Sequence, residues 1–574
     1  MQILNLKINN FRGIKEFDYS FDDSKIICFV GRGDSCKTTI IQAINFVLYP
    51  QRWLNISDYD FYNGNVDDPI RIEATIGNFD NDLFKDLCKD GSSYGGYLYK
   101  WNKETRVAVD VWNEGKEDEV SDCCLKILFS VDKNLEPLWE VLSSNGTDSK
   151  MMNVSDRAKF NAFMIEDYQD KHLTMGKGSP LMNLYKSRSD DLFKDDATLQ
   201  QMIRDIQKNI DYENDKIFGK SFLDFCRGLK GNLIKYNTNL EEINPSLLIR
   251  NFYTNNDFIL RDKNSPLQMK GKGTKRLSSI GIQSQLANNI MLIDEIEQGL
   301  EPDRVKSLID TLKKDIEGNK SVGQIFFTTH SRDVVVECSS SDIYIIRSEE
   351  GKINCLQAKK IHQGAIRKNP EGLFSKKILI CEGPTECGIM KSFENFTYCK
   401  NREKFSYIGV VIADGGGSNF YNYAETFNEL GYSTCIFCDS DVNGDVIKKQ
   451  GLRDLGVDIV DWDSSFCLEM VIAEEIPWLK LLEIVKLAME YKGKESIYDS
   501  IKVGQGELDE DIGKWTDSLE LRKTIGQKMK NNDWFKTHTK GEDLGNILFS
   551  FFDDMLVGSQ IKRNINKLSA WFDK

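Results

Sequence analysis

An α/β fold of two successive strand–helix units, the first interrupted by a helical insertion, is what this 574-residue sequence predicts. Three observations carry it. Short apolar runs end repeatedly in acidic or polar residues, as in NNIMLIDEIE, KKILICEGPTE and STCIFCDSD, the pattern of buried parallel strands that present their carboxyl ends. Between 155 and 254 apolar residues instead fall three and four apart, as in DDATLQQMIRDIQKNIDYENDKIFGKSFLDFCRGLKGNL, the period of a helix face. The turn-like stretch HQGAIRKNPEGLFSKK then marks a boundary near residue 370. The expected zones are 1–154 and 255–370 as two parts of one unit, 155–254 as the insertion and 371–574 as the second unit.

The bulk composition sets limits. A chain of this length exceeds one core. It is 40% hydrophobic and 29% charged with only 10 prolines, and it holds no apolar run long enough to span a bilayer. The N-terminus MQILNLKINNFRG alternates like a first strand and carries no leader pattern, so a cytoplasmic protein is expected. The 14 cysteines are scattered, with Cys123 and Cys124 adjacent, and read as reduced thiols rather than as a zinc site or disulfide framework. A net charge of -14 disfavours a nucleic-acid partner on its face, yet acidic residues gathered around bound cations invert the local field. The basic stretch RDKNSPLQMKGKGTKR reads from charge alone as a solvated loop.

The first site lies in FVGRGDSCKTTIIQAINFVLY. An apolar strand stops at Gly31, and a helix follows Lys37, so backbone N–H groups and the helix N-terminus can cradle phosphate. Gly31, Asp34, Ser35, Lys37, Thr38 and Thr39 form the candidate loop, with Lys37 reaching the β- and γ-phosphates and Thr38 ligating Mg²⁺. Cys36 stands where the loop pattern wants glycine, and its Cβ intrudes where glycine lets the backbone approach the phosphates. The strand in MLIDEIEQGLEPDR delivers Asp294 to the Mg²⁺ shell and Glu295 to the attacking water. QIFFTTHS ends in His330, placed to sense a γ-phosphate. The loop therefore reads as a modified site that binds ATP but turns it over slowly.

The second site is carboxylate-rich. Glu382 and Glu386 follow one apolar strand, Asp414 ends a second in YIGVVIADGGGSNF, and Asp439 and Asp441 follow a third, with Gly444 beyond. Residues two apart on a strand point the same way, and open α/β sheets bind ligands at their strand ends. Such clustering is costly without cations, and Mg²⁺, which prefers hard oxygen ligands, suits it. Two such ions would activate water and stabilise the leaving oxygen of a phosphodiester.

The order of loop, insertion, GKGTKRLSS segment, DE strand and histidine strand resembles the ABC-like ATPases of the SMC and RecF type. That resemblance implies an ATP-bridged dimer, with Gly271, Gly273 and Ser278 in the signature position although the wording departs from LSGGQ. E-G-x-x-E followed by D-x-D-x-x-G resembles the Toprim domain of topoisomerases, primases and a group of nucleases, and Glu386 is the form of the nuclease branch. Together the two units resemble the OLD (overcoming lysogenization defect) family, which includes the nuclease subunit of Gabija anti-phage systems and effectors of some retrons. The family's loop wording is kept at Gly31, Asp34, Ser35 and Lys37 and broken at Gly33 and Cys36. DEIEQGLEP keeps Asp294, Glu295, Glu297 and Pro302, while Tyr168 and Gln169 stand where the family has an RD pair.

The resemblance further implies Glu469, in SSFCLEMVIAEE, as an additional metal-site carboxylate and Lys540, in HTKGEDLGNIL, as the lysine at the scissile phosphate. The implied activity is an ATP-regulated, Mg²⁺- or Mn²⁺-dependent DNA endonuclease of phage defence. Its implied partners are DNA, a second copy in a dimer or tetramer, and either a helicase-like protein or a reverse transcriptase with its non-coding RNA/DNA. Two competing readings are a RecF-like DNA-binding ATPase with a scaffold Toprim unit, and a Toprim nuclease that cleaves RNA.

Overall fold

The computed structural model describes residues 1–573 apart from 51–53, 89–93, 112–121, 144–147, 161, 167–169, 174–178, 181–182, 184–260 (Asp205 excepted), 263–264, 285, 287–288, 319–321, 401, 441–444, 464 and 506–507. Most of the expected helical insertion, together with Tyr168, Gln169, Asp441 and Gly444, lies outside the described residues. One described part of the insertion differs from the helical expectation. Phe163–Ile165 is a buried strand, parallel to Asn289–Ile293. Three consecutive apolar residues are too few to show a period, so sequence pattern alone absorbs them into the neighbouring helix.

The chain forms two compact units, 1–12 with 18–25 and 40–327, and 13–17 with 26–39 and 328–574. In the first, Gln2–Phe11 pairs antiparallel with Ile70–Gly77, which pairs with Cys123–Val131 and so on to Pro137–Leu142. The same unit holds a parallel trio, Phe163–Ile165, Asn289–Ile293 and Val322–Thr328. Ile290, Met291, Leu292 and Ile293 are fully buried, which explains the unbroken apolar wording of that strand: both its faces are covered.

In the second unit Ile26–Val30 runs parallel to Ile343–Glu349, which turns back antiparallel into Lys352–Gln357. Its C-terminal part is a four-stranded parallel sheet in the order Val410–Asp414, Lys377–Cys381, Ser433–Cys438, Asp458–Asp461. The two central strands lead into the carboxylates. One apolar core runs from Leu379 and Cys381 through Trp534 to Trp571 and Phe572, so the C-terminal helices belong to this sheet's core.

Helices Pro384–Cys399 and His538–Ser550 meet backbone to backbone. A Cβ on Gly388 would sit 2.3 Å from the carbonyl oxygen of His538, and one on Gly541 would sit 2.5 Å from that of Thr385. Only glycine permits this approach. It carries the start of the late helix to the helix that bears Glu386.

The described cysteines are free and mostly buried. Cys435 and Cys438 do stand in C-x-x-C spacing, but both are buried on the strand Ser433–Cys438, where residues three apart face opposite sides. Among the described residues no helix is long and apolar enough to cross a membrane.

Candidate active site

The carboxylate site grows from strand ends. Glu382 directly follows Lys377–Cys381, and its backbone N–H donates to Phe437 C=O at 3.0 Å, extending the pairing one residue beyond the strand. Its Oε2 accepts the backbone N–H of Asp439 at 2.9 Å. Glu386, in the first turn of Pro384–Cys399, accepts the N–H of Gly383 at 3.0 Å, which caps that helix. Asp439 Oδ1 accepts the N–H of Leu468 at 2.9 Å, tying the strand end to helix Leu468–Glu475, whose first turn holds Glu469. Oxygens of Asp439 and Glu469 and the Sγ of Cys467 all lie within 4.8 Å of one another.

The electrostatics match this crowding. Burial, then the charges of Asp439, Glu469 and Glu382, hold Glu386 well above the usual carboxylate range. Burial, then Glu382 and Glu469, raise Asp439 to about 7. Like charges gathered in a low-dielectric site either take up protons or take up cations. The donor set is almost all hard oxygen, which suits a divalent cation, and Glu382, Glu386, Asp439 and Glu469 are the residues that could hold one.

Two candidates sit differently from the sequence expectation. Asp414 ends its strand as foreseen, but Lys368 Nζ lies 2.8 Å from its Oδ2, and its backbone exchanges two 3.1 Å hydrogen bonds with the Asn369 side chain. Burial raises its pKa, and Lys368 and the Gly416 N–H outweigh that effect, leaving the carboxyl below its ordinary range. Asp414 thus already has a cation. Lys540 lies with its ammonium 4.9 Å from the Tyr491 ring centroid. Lys536, just before the same helix, faces Glu469 and Glu386: burial opposes its charge, and the attraction of Glu469, Asp533 and Glu386 prevails, raising its pKa. The positive charge of Lys530 acts against the rise at Asp439. Among many nearby lysines, no sequence signal singles these two out. Buried Lys449 is a further omission: it reaches Asp439 C=O at 2.7 Å, Ser440 Oγ at 3.0 Å and Asp461 at 3.0 Å, and so shapes the loop after Asp439.

At the loop 31–38, Lys37 is buried, and its ammonium donates to Gly31 C=O at 3.0 Å, Arg32 C=O at 2.8 Å and Ser35 Oγ at 3.2 Å. Gly31 has φ 147°, and a Cβ there would lie 2.4 Å from Ile346 C=O. Cys36 takes φ 67°, the left-handed conformation that favours glycine. Its Sγ fills space left by Gly13, where a Cβ would lie 2.7 Å away, and it hydrogen-bonds Ser348. The misfit is therefore conformational as well as steric toward phosphate.

The acidic strand end has its own brace. Arg276, fully buried in helix Lys272–Gln283, donates to the carbonyls of Asp294 and Glu295 and, at 3.1 Å, to Gln298. Glu295 has φ 48°, a strained value of the kind that persists where surrounding contacts enforce it. Gly273 of the same helix packs on Gly299, where a Cβ would lie 2.4 Å from the carbonyl oxygen. The end of the basic stretch, from Lys272, is thus a packed helix rather than a solvated loop, and its arginine organises the DE turn. His330 stacks on Phe374, with centroids 6.2 Å apart and planes at 29°.

Residues 1–90 and 143–335 match the family described as AAA ATPase domain, and residues 373–441 match the family described as overcoming lysogenization defect protein-like, TOPRIM domain. Among curated proteins the chain is similar to Endonuclease GajA of Bacillus cereus (strain VD045), 21% identical over 500 residues that span 80% of this chain and 78% of that protein. Among solved structures it is similar to an Smc head bound to the C-terminal winged-helix domain of ScpA, at 16% identity and TM-score 0.34, covering 63% of this chain and 99% of that one. The SMC head domain from Thermotoga maritima gives 11% identity and TM-score 0.29, covering 62% and 100%. The fold assignment stands on strand order and the two family matches.

Proposed function

We propose that this chain, in which residues matching an AAA ATPase domain precede residues matching an OLD-like Toprim domain, is an OLD-type, divalent-metal-dependent DNA endonuclease controlled by ATP and acting in phage defence. The observation that carries the nuclease reading is the cluster of half-buried Glu382 and Asp439 with buried Glu386 and Glu469, in which burial and then mutual repulsion raise Glu386 and Asp439. Asp441 joins this set by its place in the D-x-D wording. A divalent cation bound there supplies charge neutralisation and activation of water at a phosphodiester. Glu386 and Glu469, held in first helical turns, would help to hold that cation. Beside Lys540, Lys536 is a second lysine to hold the scissile phosphate, because the charges of Glu469 and Glu386 favour its ammonium.

The test uses the purified full chain with plasmid and Mg²⁺ or Mn²⁺. Glu382→Ala and Asp439→Ala should each lower cleavage by roughly a hundredfold or more. Undiminished cleavage by both variants would sink the assignment. Cleavage of structured RNA with plasmid left intact moves the substrate to RNA.

Control by ATP draws support from contacts inside the second unit. A cavity of about 410 Å³ is lined by Gly31 to Ser35 of the loop together with Arg347, Leu373 and Tyr432. Arg347 donates to Leu430 C=O at 2.5 Å, and its guanidinium lies 4.2 Å from the Tyr432 ring centroid, at the start of the strand that leads to Asp439. His330 stacks on Phe374, Arg332 pairs with Glu371 at 3.7 Å, and Lys368 holds Asp414. One short segment, 368–374, thus touches His330 and Arg332 on one side and Asp414 on the other, three residues before the Gly417 N–H that donates to Glu382 C=O at 2.9 Å. In this reading nucleotide reports a cellular state instead of driving turnover, and the protein acts as a homo-oligomer beside a helicase-like protein or a reverse transcriptase. Added ATP should change the plasmid cleavage rate of the parent and leave Lys37→Ala unresponsive; an equal response in both removes the control.

A further inference from the structure

Beside the carboxylate cluster lies a side chain that hard-cation chemistry does not call for. Cys467 is fully buried as the N-cap of helix Leu468–Glu475. Its Sγ lies within 4.8 Å of carboxylate oxygens of both Asp439 and Glu469, which are within 4.8 Å of each other. Glu469 is itself only 6% exposed, and burial and the neighbouring charges of Glu469 and Asp439 push the Cys467 thiol up to about 12. A thiol serving only to fill the core would have apolar neighbours; this one faces two acidic groups. Ligands on a tetrahedral zinc, with bonds of about 2.0 Å to oxygen and 2.3 Å to sulfur, lie roughly 3.3–3.6 Å apart. The three atoms therefore need to close by about 1 Å, within the reach of side-chain rotation.

We propose that Asp439, Cys467 and Glu469 form a site for a borderline-soft divalent cation, zinc above all, overlapping the Mg²⁺ site so that zinc and magnesium compete for Asp439. The inference rests on the reading of this cluster as the metal centre. Thiolate ligands select zinc and its congeners over magnesium. As the cation binds, the sulfur–metal bond forms and the thiol proton passes to solvent, so binding releases a proton.

The probe is Cd²⁺ alone, titrated into the full chain under a phosphine reductant, with the sulfur-to-cadmium charge-transfer absorbance as readout. The parent should show this band, and Zn²⁺ should remove it at far lower concentration than Mg²⁺. Cys467→Ser should abolish the tightest component of the band, while Cys438→Ser, a buried thiol outside the three, should retain it. Asp439→Asn keeps the thiol and should weaken binding by roughly tenfold or more, which tests the same site if Cys467→Ser fails to fold. A band of unchanged size and affinity in Cys467→Ser, or in Asp439→Asn when Cys467→Ser does not fold, overturns the proposal. A parent that binds Cd²⁺ through Cys467 yet fails to cleave plasmid with Mg²⁺ loses the nuclease reading and keeps this one. Cleavage without the Cys467 band does the reverse.

Discussion

The phosphate loop and the carboxylate cluster lie in the same compact unit and solve opposite problems. In the loop, the buried charge is satisfied from within: Lys37 donates to two loop carbonyls and a hydroxyl. For Lys37 to hold a phosphate it must exchange those acceptors for phosphate oxygens, so binding and loop conformation are coupled. In the cluster, burial and like charge push Glu386 and Asp439 upward, and the nearby ammonium groups of Lys530 and Lys536 offset this only in part. A loop whose buried charge is satisfied internally can hold a non-glycine residue at a left-handed position, as Cys36 does. One under electrostatic tension requires its cations, and its residues are correspondingly easy to recognise.

The largest effect expected from breaking this contrast is at Asp439. Its replacement by Ala or Asn removes cleavage, as above, and yet relieves repulsion in the metal-free fold. Metal-free Asp439→Asn should therefore melt at or above the parent at pH 8, while Mg²⁺ raises the parent's melting temperature far more than the variant's. A variant that melts well below the parent without metal would show that Asp439 is held by structure and not under tension.

Next in size is the junction that carries Lys536 to the cluster. Gly541→Ala places a Cβ 2.5 Å from Thr385 C=O and 2.9 Å from its Cα. Overpacking of this kind costs about 1–3 kcal/mol, measurable by denaturant unfolding. Because the same helix start positions Lys536, cleavage should fall in the folded fraction as well. Full activity with the stability loss present separates the lysine from the chemistry.

The pH dependence has a definite sign. Asp439 rises from an ordinary 3.8 to about 7, so the metal-free native state binds this proton more tightly than the unfolded chain does. Its stabilising contribution is complete below the ordinary carboxylate range and is lost as pH rises to about 7. Cations compete with that proton. Stabilisation by Mg²⁺, read as the shift in melting temperature, should therefore grow between pH 6 and pH 8. A shift independent of pH would contradict the raised carboxyl.

What could be read in the sequence follows the same division. Glu382 and Asp439 were legible because an apolar strand ending in acid is a local pattern, and the parallel order of the strands turns that pattern into one sheet edge. Asp414 was legible as a strand end, but its partner Lys368 lies 46 positions upstream in a turn-like stretch, where spacing carries no information. Lys536 reaches the site only because Gly388 and Gly541 let two helices touch, a tertiary contact between segments some 150 residues apart. Cys467 was in plain view beside Glu469, but a cysteine before an apolar run looks like core. Arg276 was hidden by its basic neighbours, which suggested a solvated loop where a helix packs.

The smallest expected effect returns to Cys36. Its backbone at φ 67° costs about 1–2 kcal/mol relative to an ordinary conformation. Glycine removes that strain but adds freedom to the unfolded chain, worth about 0.5–1 kcal/mol. It also empties the space that Sγ fills beside Gly13. These terms nearly cancel, so Cys36→Gly should change stability by no more than about 1 kcal/mol. The gain should appear in chemistry instead, because losing the Cβ lets the loop's N–H groups close on the phosphates. ATP hydrolysis at matched occupancy should rise severalfold, measured as phosphate release. An equal or lower rate would mean that Cys36 does not restrain turnover, and that any slow hydrolysis originates elsewhere, with Glu295 at its strained φ of 48° the next residue to change.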